Sequence, residues 1–101
     1  MVENKLNTVA LMAIHPGEIL REEYLKPLGM SPLKLAKMLG VPRTRIERIA
    51  TEKTAISPDT AMRLAKVFNT TPRFWMNMQA SYDLAVVGTD VSGIEVLELA
   101  G

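Results

Sequence analysis

The sequence contains no cysteine and a single histidine, His15. The first absence excludes disulfide frameworks, thiolate metal sites and a cysteine nucleophile. The second excludes multi-histidine metal centres. No apolar stretch approaches the roughly 20 residues that a membrane span needs. The opening segment, MVENKLNTVALMAIHPGE, carries Glu3 and a lone Lys5 and has no small-residue cleavage pattern after a basic start, so it does not read as a secretory signal. At 101 residues the expectation is one domain with one core and no large cleft. Internal repeats and low-complexity segments are absent as well. Together these absences predict a small cytoplasmic protein without membrane, metal or cofactor, and they make catalysis an uphill claim.

What is present is a segregated charge. The formal net charge is only +1, yet residues 32–73 hold nine of the twelve basic residues and three acids, Glu47, Glu52 and Asp59. Residues 74–101 carry Asp83, Asp90, Glu95 and Glu98 and no base. A basic middle between acidic flanks points to an anionic partner for the middle. Solvated helix faces are the plainer explanation of the same charges.

Helix punctuation is frequent. Ser31-Pro32, Ser57-Pro58 and Thr71-Pro72 each pair a capping oxygen with a proline suited to a first helical turn. Pro16-Gly17 opens an earlier piece, with Glu18, Glu22 and Glu23 near its start, Ile19, Leu20 and Tyr24 as its apolar stripe, and Pro27-Leu28-Gly29 as its end. Leu35, Ala36 and Leu39 form an inward face that stops at Gly40, where a left-handed residue is expected. A third piece begins near Pro42 and turns Ile46, Ile49 and Ala50 inward. Ala61, Leu64, Ala65 and Phe68 make a fourth stripe ending at Asn69, and Phe74, Trp75, Met78 and Tyr82 a fifth. The pattern predicts an all-α domain of five helices.

Within it, residues 32–51, PLKLAKMLGVPRTRIERIAT, carry the functional signal. Two helices crossing steeply need a small side chain at their closest approach, here Ala36. They also need a glycine for the tight turn, here Gly40, and branched residues such as Ile46 and Ile49 to fill the shared core. That is the helix-turn-helix arrangement, whose second helix lies in the DNA major groove. Its outward residues are Arg43, Thr44, Glu47 and Arg48, with Arg45 on the flank. Arginine reads guanine through paired hydrogen bonds, glutamate accepts from cytosine, and threonine meets a thymine methyl or a polar base edge. Lys34, Lys37 and Lys53 suit phosphate contacts, which position a protein without reading sequence. A structural αα-hairpin with solvated arginines is the competing explanation.

Residues 15–84 also resemble a known family. The strings are His15-Pro16-Gly17-Glu18-Ile19-Leu20, Pro27-Leu28-Gly29-Met30-Ser31, Leu35-Ala36 with Leu39-Gly40-Val41, Ile56 through Leu64, Phe74 through Gln79, and Tyr82-Asp83-Leu84. They resemble antitoxins of the HigA/VapI type, helix-turn-helix proteins of the Xre, phage-repressor-like superfamily. The resemblance implies a five-helix lambda-repressor-like domain and a homodimer on palindromic operator DNA that represses its own operon. It also implies a partner, a small basic toxin protein that cleaves messenger RNA. Two departures stand out. Pro32 and Leu33 replace a polar residue early in the first helix of the motif. Thr51-Glu52-Lys53-Thr54 replaces a string resembling Asn-Gly-Lys-Arg, setting a carboxylate in a loop expected to face phosphate.

The chain therefore divides into an N-terminal arm (1–14), a helix-turn-helix domain (15–84) and a C-terminal tail (85–101). The tail is rich in β-branched residues and glycine, and a short strand, a docking helix and a partner-binding tail all remain open for it. Trp75, Met78 and Tyr82 are dimer-interface candidates, since Trp and Tyr are enriched in interface hot spots, with core packing as the alternative. His15 reads as a cap or a surface contact. Glu22 and Glu23 diverge by about 100° on a helix and are no acid–base pair. Three functions follow in order: an autoregulating antitoxin, a solitary helix-turn-helix regulator, and a helical protein-binding module whose basic face meets an acidic partner.

Overall fold

The computed structural model describes residues 13–99. All but the last two positions of the expected arm, together with residues 100 and 101, lie outside the described residues. Five helices, and no strand among the described residues, form the domain.

The first, α1 (16–28), is one rod in three sections, α-helical at Pro16–Ile19, π-helical at Leu20–Leu25 and α-helical at Lys26–Leu28. The π section departs from the plain helix expected from sequence, and Pro27 accounts for it. Its missing N–H removes one α-type bond, and its ring crowds the carbonyl four residues back. The rod widens to relieve that, and the Lys26 N–H donates to the Arg21 carbonyl five residues earlier. Gly29, at φ +60°, ends the rod.

The remaining helices are α2 (Pro32–Leu39), α3 (Arg43–Ala50), α4 (Pro58–Phe68) and α5 (Pro72–Val86). The three Ser/Thr-Pro starts cap as the sequence predicts. Ser31, Ser57 and Thr71 each accept from the backbone N–H three residues on, at 3.1, 3.2 and 3.1 Å. Asn69, at φ +55°, ends α4 in the left-handed conformation.

One core joins them. Leu20, Leu35, Ile46, Ile49, Ile56, Leu64 and Trp75 are almost wholly buried. Trp75 fits because its indole N–H donates to the Thr70 hydroxyl at 2.8 Å while Tyr24 and Phe68 pack alongside. The expectation that Trp75 faces a second subunit is thus corrected, for its ring lies inside the protomer, 0% exposed. Met78 packs half-buried against the core, and the half-buried Tyr82 lies edge-on to the His15 ring at 4.9 Å. His15 itself is buried and caps α1, its Nδ1 accepting from the Gly17 N–H at 2.8 Å. Gln79, also buried, accepts from the Ile56 N–H at 2.8 Å and so pins the segment after α3 to α5.

Among the described residues beyond α5, neither the strand nor the docking helix considered for the tail is formed. Residues 87–99 run without regular structure apart from a turn, where Ile94 N–H donates to the Val91 carbonyl at 3.0 Å. Val91, Ile94, Val96, Leu97 and Leu99 are all exposed.

Candidate nucleic-acid interface

The corner between α2 and α3 is built as the sequence requires. Gly40 sits at φ +72°, a conformation that strains any residue with a Cβ. The Val41 N–H closes the turn on the Ala36 carbonyl at 3.0 Å. Ala36 is buried where the helices meet, with Leu35 and Leu39 on one side and Ile46, Ile49 and Ala50 on the other. Arg63 of α4 donates to the Leu39 carbonyl at 2.7 Å and so satisfies the end of α2. The fit between α1 and α3 is closer still. A Cβ on Gly17 would collide with the main-chain carbonyl of Ile49.

Burying Ile46, Ile49 and Ala50 forces the opposite side of α3 outward. Arg43, Thr44 and Arg48 are exposed there, and Glu47 is half-buried. Arg43 pairs with Glu47 one turn away at 3.4 Å, a surface contact of little strength. No ion pair holds Arg48 among the described residues. Arg45 differs from its neighbours. It points along the flank and pairs with Asp59 of α4 at 2.6 Å, and Arg63 pairs with the same carboxylate at 3.0 Å. These two guanidiniums, Arg63 first, hold the Asp59 carboxyl below the usual carboxylate range. Of the three arginines on α3, Arg48 is thus the one whose head is uncommitted within the described residues.

Alongside α3 runs an open groove of about 1060 Å³, lined by Arg21, Lys26, Ser31, Thr44, Arg48 and Lys53 among others. Lys34 and Lys37 are exposed on α2 and lie outside that lining. The residues read from sequence for nucleic-acid contact are therefore on the surface, but they divide. Thr44, Glu47, Arg48 and Lys53 share the groove, whereas Arg43 and Arg45 are held in ion pairs.

Two residues of the groove escaped the sequence reading. Arg21 donates to the Ala50 carbonyl at the end of α3, to Glu52 at 3.2 Å and to Glu22 at 2.9 Å. Lys26 pairs with the same Glu22 at 2.9 Å. Partners 29 and 31 residues away leave no local trace, and no periodicity would have found Arg21. Glu52 adopts φ +64°, the left-handed backbone that explains a glycine at this point of the motif. Its carboxylate turns to Arg21 instead of standing alone in the loop.

A short helix set by a glycine corner beside a cationic groove, one side buried and the other exposed, is the arrangement of the helix-turn-helix class of DNA-binding proteins. The chain belongs to the Helix-turn-helix (HTH_3) family, whose pattern it matches over residues 22–75. This is a family of DNA-binding regulators rather than enzymes. Virulence-associated protein I of Dichelobacter nodosus is 49% identical over 85 residues, covering 84% of this chain and 79% of that protein. Among solved structures, the Pseudomonas aeruginosa antitoxin HigA with the higBA promoter is similar at 46% identity and TM-score 0.72, over 73% of this chain and 80% of that one. Antitoxin GraA in complex with its operator is similar at 40% identity and TM-score 0.75, over 87% and 92%. Neither a metal-competent group of three acidic, His or Cys residues nor a helix able to cross a membrane occurs among the described residues.

Proposed function

We propose that this chain is an antitoxin that binds operator DNA through α3, represses its own operon as a homodimer, and neutralises a small basic toxin. The observation that carries the DNA reading is the outward face of α3. Thr44 and Arg48 stand exposed beside a groove that also holds Lys53, on a scaffold shared with two antitoxins whose structures include promoter or operator DNA. Arg48 supplies the paired donors suited to guanine, and Lys53 a point charge for phosphate. One protomer offers few contacts, so two copies of α3 one duplex turn apart supply the affinity. The antitoxin reading is favoured over a solitary regulator by the tail. Its exposed apolar residues, interleaved with Asp90, Glu95 and Glu98 and no base, suit a basic protein surface.

The experiment is a salt titration of binding to the DNA upstream of the chain's own gene. Affinity falls steeply with salt as phosphate counterions are released, and Arg48→Ala weakens binding by about 1–3 kcal/mol. Salt-independent binding, or an unchanged Arg48→Ala variant, would overturn the reading. Co-purification with the product of the adjacent gene tests the toxin partner, and deletion of residues 87–101 abolishes it if the tail is the docking surface.

A further inference from the structure

The loop after α3 contains a carboxylate that the backbone does not favour and that the groove does not need. Glu52 is one of two non-glycine residues with positive φ among the described residues. Asn69, the other, is a residue type at ease there. Glu52 also adjoins in sequence Thr51 and Lys53, which line the groove, and negative charge beside it opposes a polyanionic ligand. What it does hold is Arg21. The Arg21 guanidinium is fixed at the groove wall by its bonds to the Ala50 carbonyl and to Glu22, and its remaining contact is the Glu52 carboxylate at 3.2 Å. A phosphate oxygen is the same kind of acceptor for a guanidinium as a carboxylate oxygen. Glu52 therefore holds the Nη1 side of Arg21, where a DNA phosphate would compete with it for the guanidinium. The pairs Arg21–Glu22, Arg21–Glu52 and Lys26–Glu22 join two cations to two anions, so these four side chains together carry no net charge.

We infer that Glu52 attenuates DNA binding by occupying Arg21, so that removing its charge exposes a further phosphate contact. This rests on the DNA-binding reading above and adds to it a residue that sets the strength of binding. The attenuation acts on phosphate, so it extends to any duplex and its test needs no cognate sequence.

The test uses the full chain and a fluorescently labelled duplex of mixed sequence about three helical turns long, titrated between 50 and 200 mM salt. Glu52→Gln keeps the side-chain length but leaves a neutral amide oxygen, a weaker acceptor that a charged phosphate displaces from Arg21, and circular dichroism confirms that it folds. Glu52→Gly, suited to the positive φ, is the second variant. Both bind more tightly than wild type. One added phosphate contact steepens the dependence of log affinity on log salt by about 0.9, so the gain widens about three- to fourfold from 200 to 50 mM. In an Arg21→Gln background the same Glu52→Gln change produces no steepening. Equal or weaker binding with the wild-type slope overturns the inference while leaving DNA binding intact. Steepening that persists without Arg21 overturns it too, by assigning the effect to bulk charge. A wild-type chain that binds neither this duplex nor the DNA upstream of its own gene at any salt overturns the DNA-binding reading and the inference with it.

Discussion

Replacing Gly17 with alanine sets a methyl group against the main chain of α3. The new Cβ would overlap the Ile49 carbonyl oxygen and carbon and would stand 3.0 Å from His15 Nδ1. Overpacking relieved by side-chain motion costs about 1–3 kcal/mol. Here the obstacle is a helical carbonyl, so the upper end applies and α1 must move away from α3. Alanine's greater helix propensity returns at most about 1 kcal/mol, leaving a net loss of about 2 kcal/mol or more. For a domain of this size that lowers the melting temperature by roughly 8–16 °C. Urea unfolding followed by circular dichroism measures it, with the midpoint falling and the m-value unchanged. Because α1 supports α3, the helix proposed to meet DNA, affinity measured well below the melting range also drops. A Gly17→Ala variant within about 0.5 kcal/mol of wild type would refute the close approach of α1 to α3 and the geometry argued from it.

Other perturbations read different parts of the account. Trp75→Ala costs about 3–5 kcal/mol in denaturant unfolding, the range for truncating a buried aromatic, because the ring fills the core. A variant that instead kept its stability and lost self-association would restore Trp75 to an interface. Ser31→Ala removes the cap of α2 and costs about 1 kcal/mol by the same assay. The Asp59 carboxyl is held below its ordinary 3.8 by Arg63 and Arg45, so its pairing is present above that value and is lost as pH falls through the lower folded-state value. Thermal melts across this acidic range show a decline that is shallower in Asp59→Asn, the remainder coming from other paired carboxyls such as Glu22.

Much of this was legible in the sequence because it depends on neighbours along the chain. A capping oxygen and a proline announce a helix start within three residues, and Ser31, Ser57 and Thr71 all cap as expected. The i, i+3 and i+4 spacing of Ile46, Ile49 and Ala50 fixes which side of α3 faces outward, so the exposure of Thr44 and Arg48 followed. Long-range polar partners were not legible. Nothing near Arg45 in the chain announces Asp59, and nothing near Arg21 announces Glu52, so two of the cations are committed in ways that charge counting misses. The π section of α1 escaped for a related reason. In the sequence Pro27 marks a helix end, whereas the rod accommodates it by widening before it ends at Gly29. Trp75 shows the limit of spacing alone, since aromatics at helical spacing suit a core and an interface equally, and only the fold places this ring inside the protomer.

The central claim is that α3 enters a DNA groove with its Arg48 side foremost. Backbone amide NMR of the isotopically labelled chain, titrated with the duplex upstream of its own gene, tests this directly. The account predicts that the largest shifts fall on Thr44, Glu47, Arg48 and the loop through Lys53, and that the amides of Gln79 through Leu84 stay still apart from effects of dimer formation. Shifts centred on α5 with α3 unmoved would contradict it.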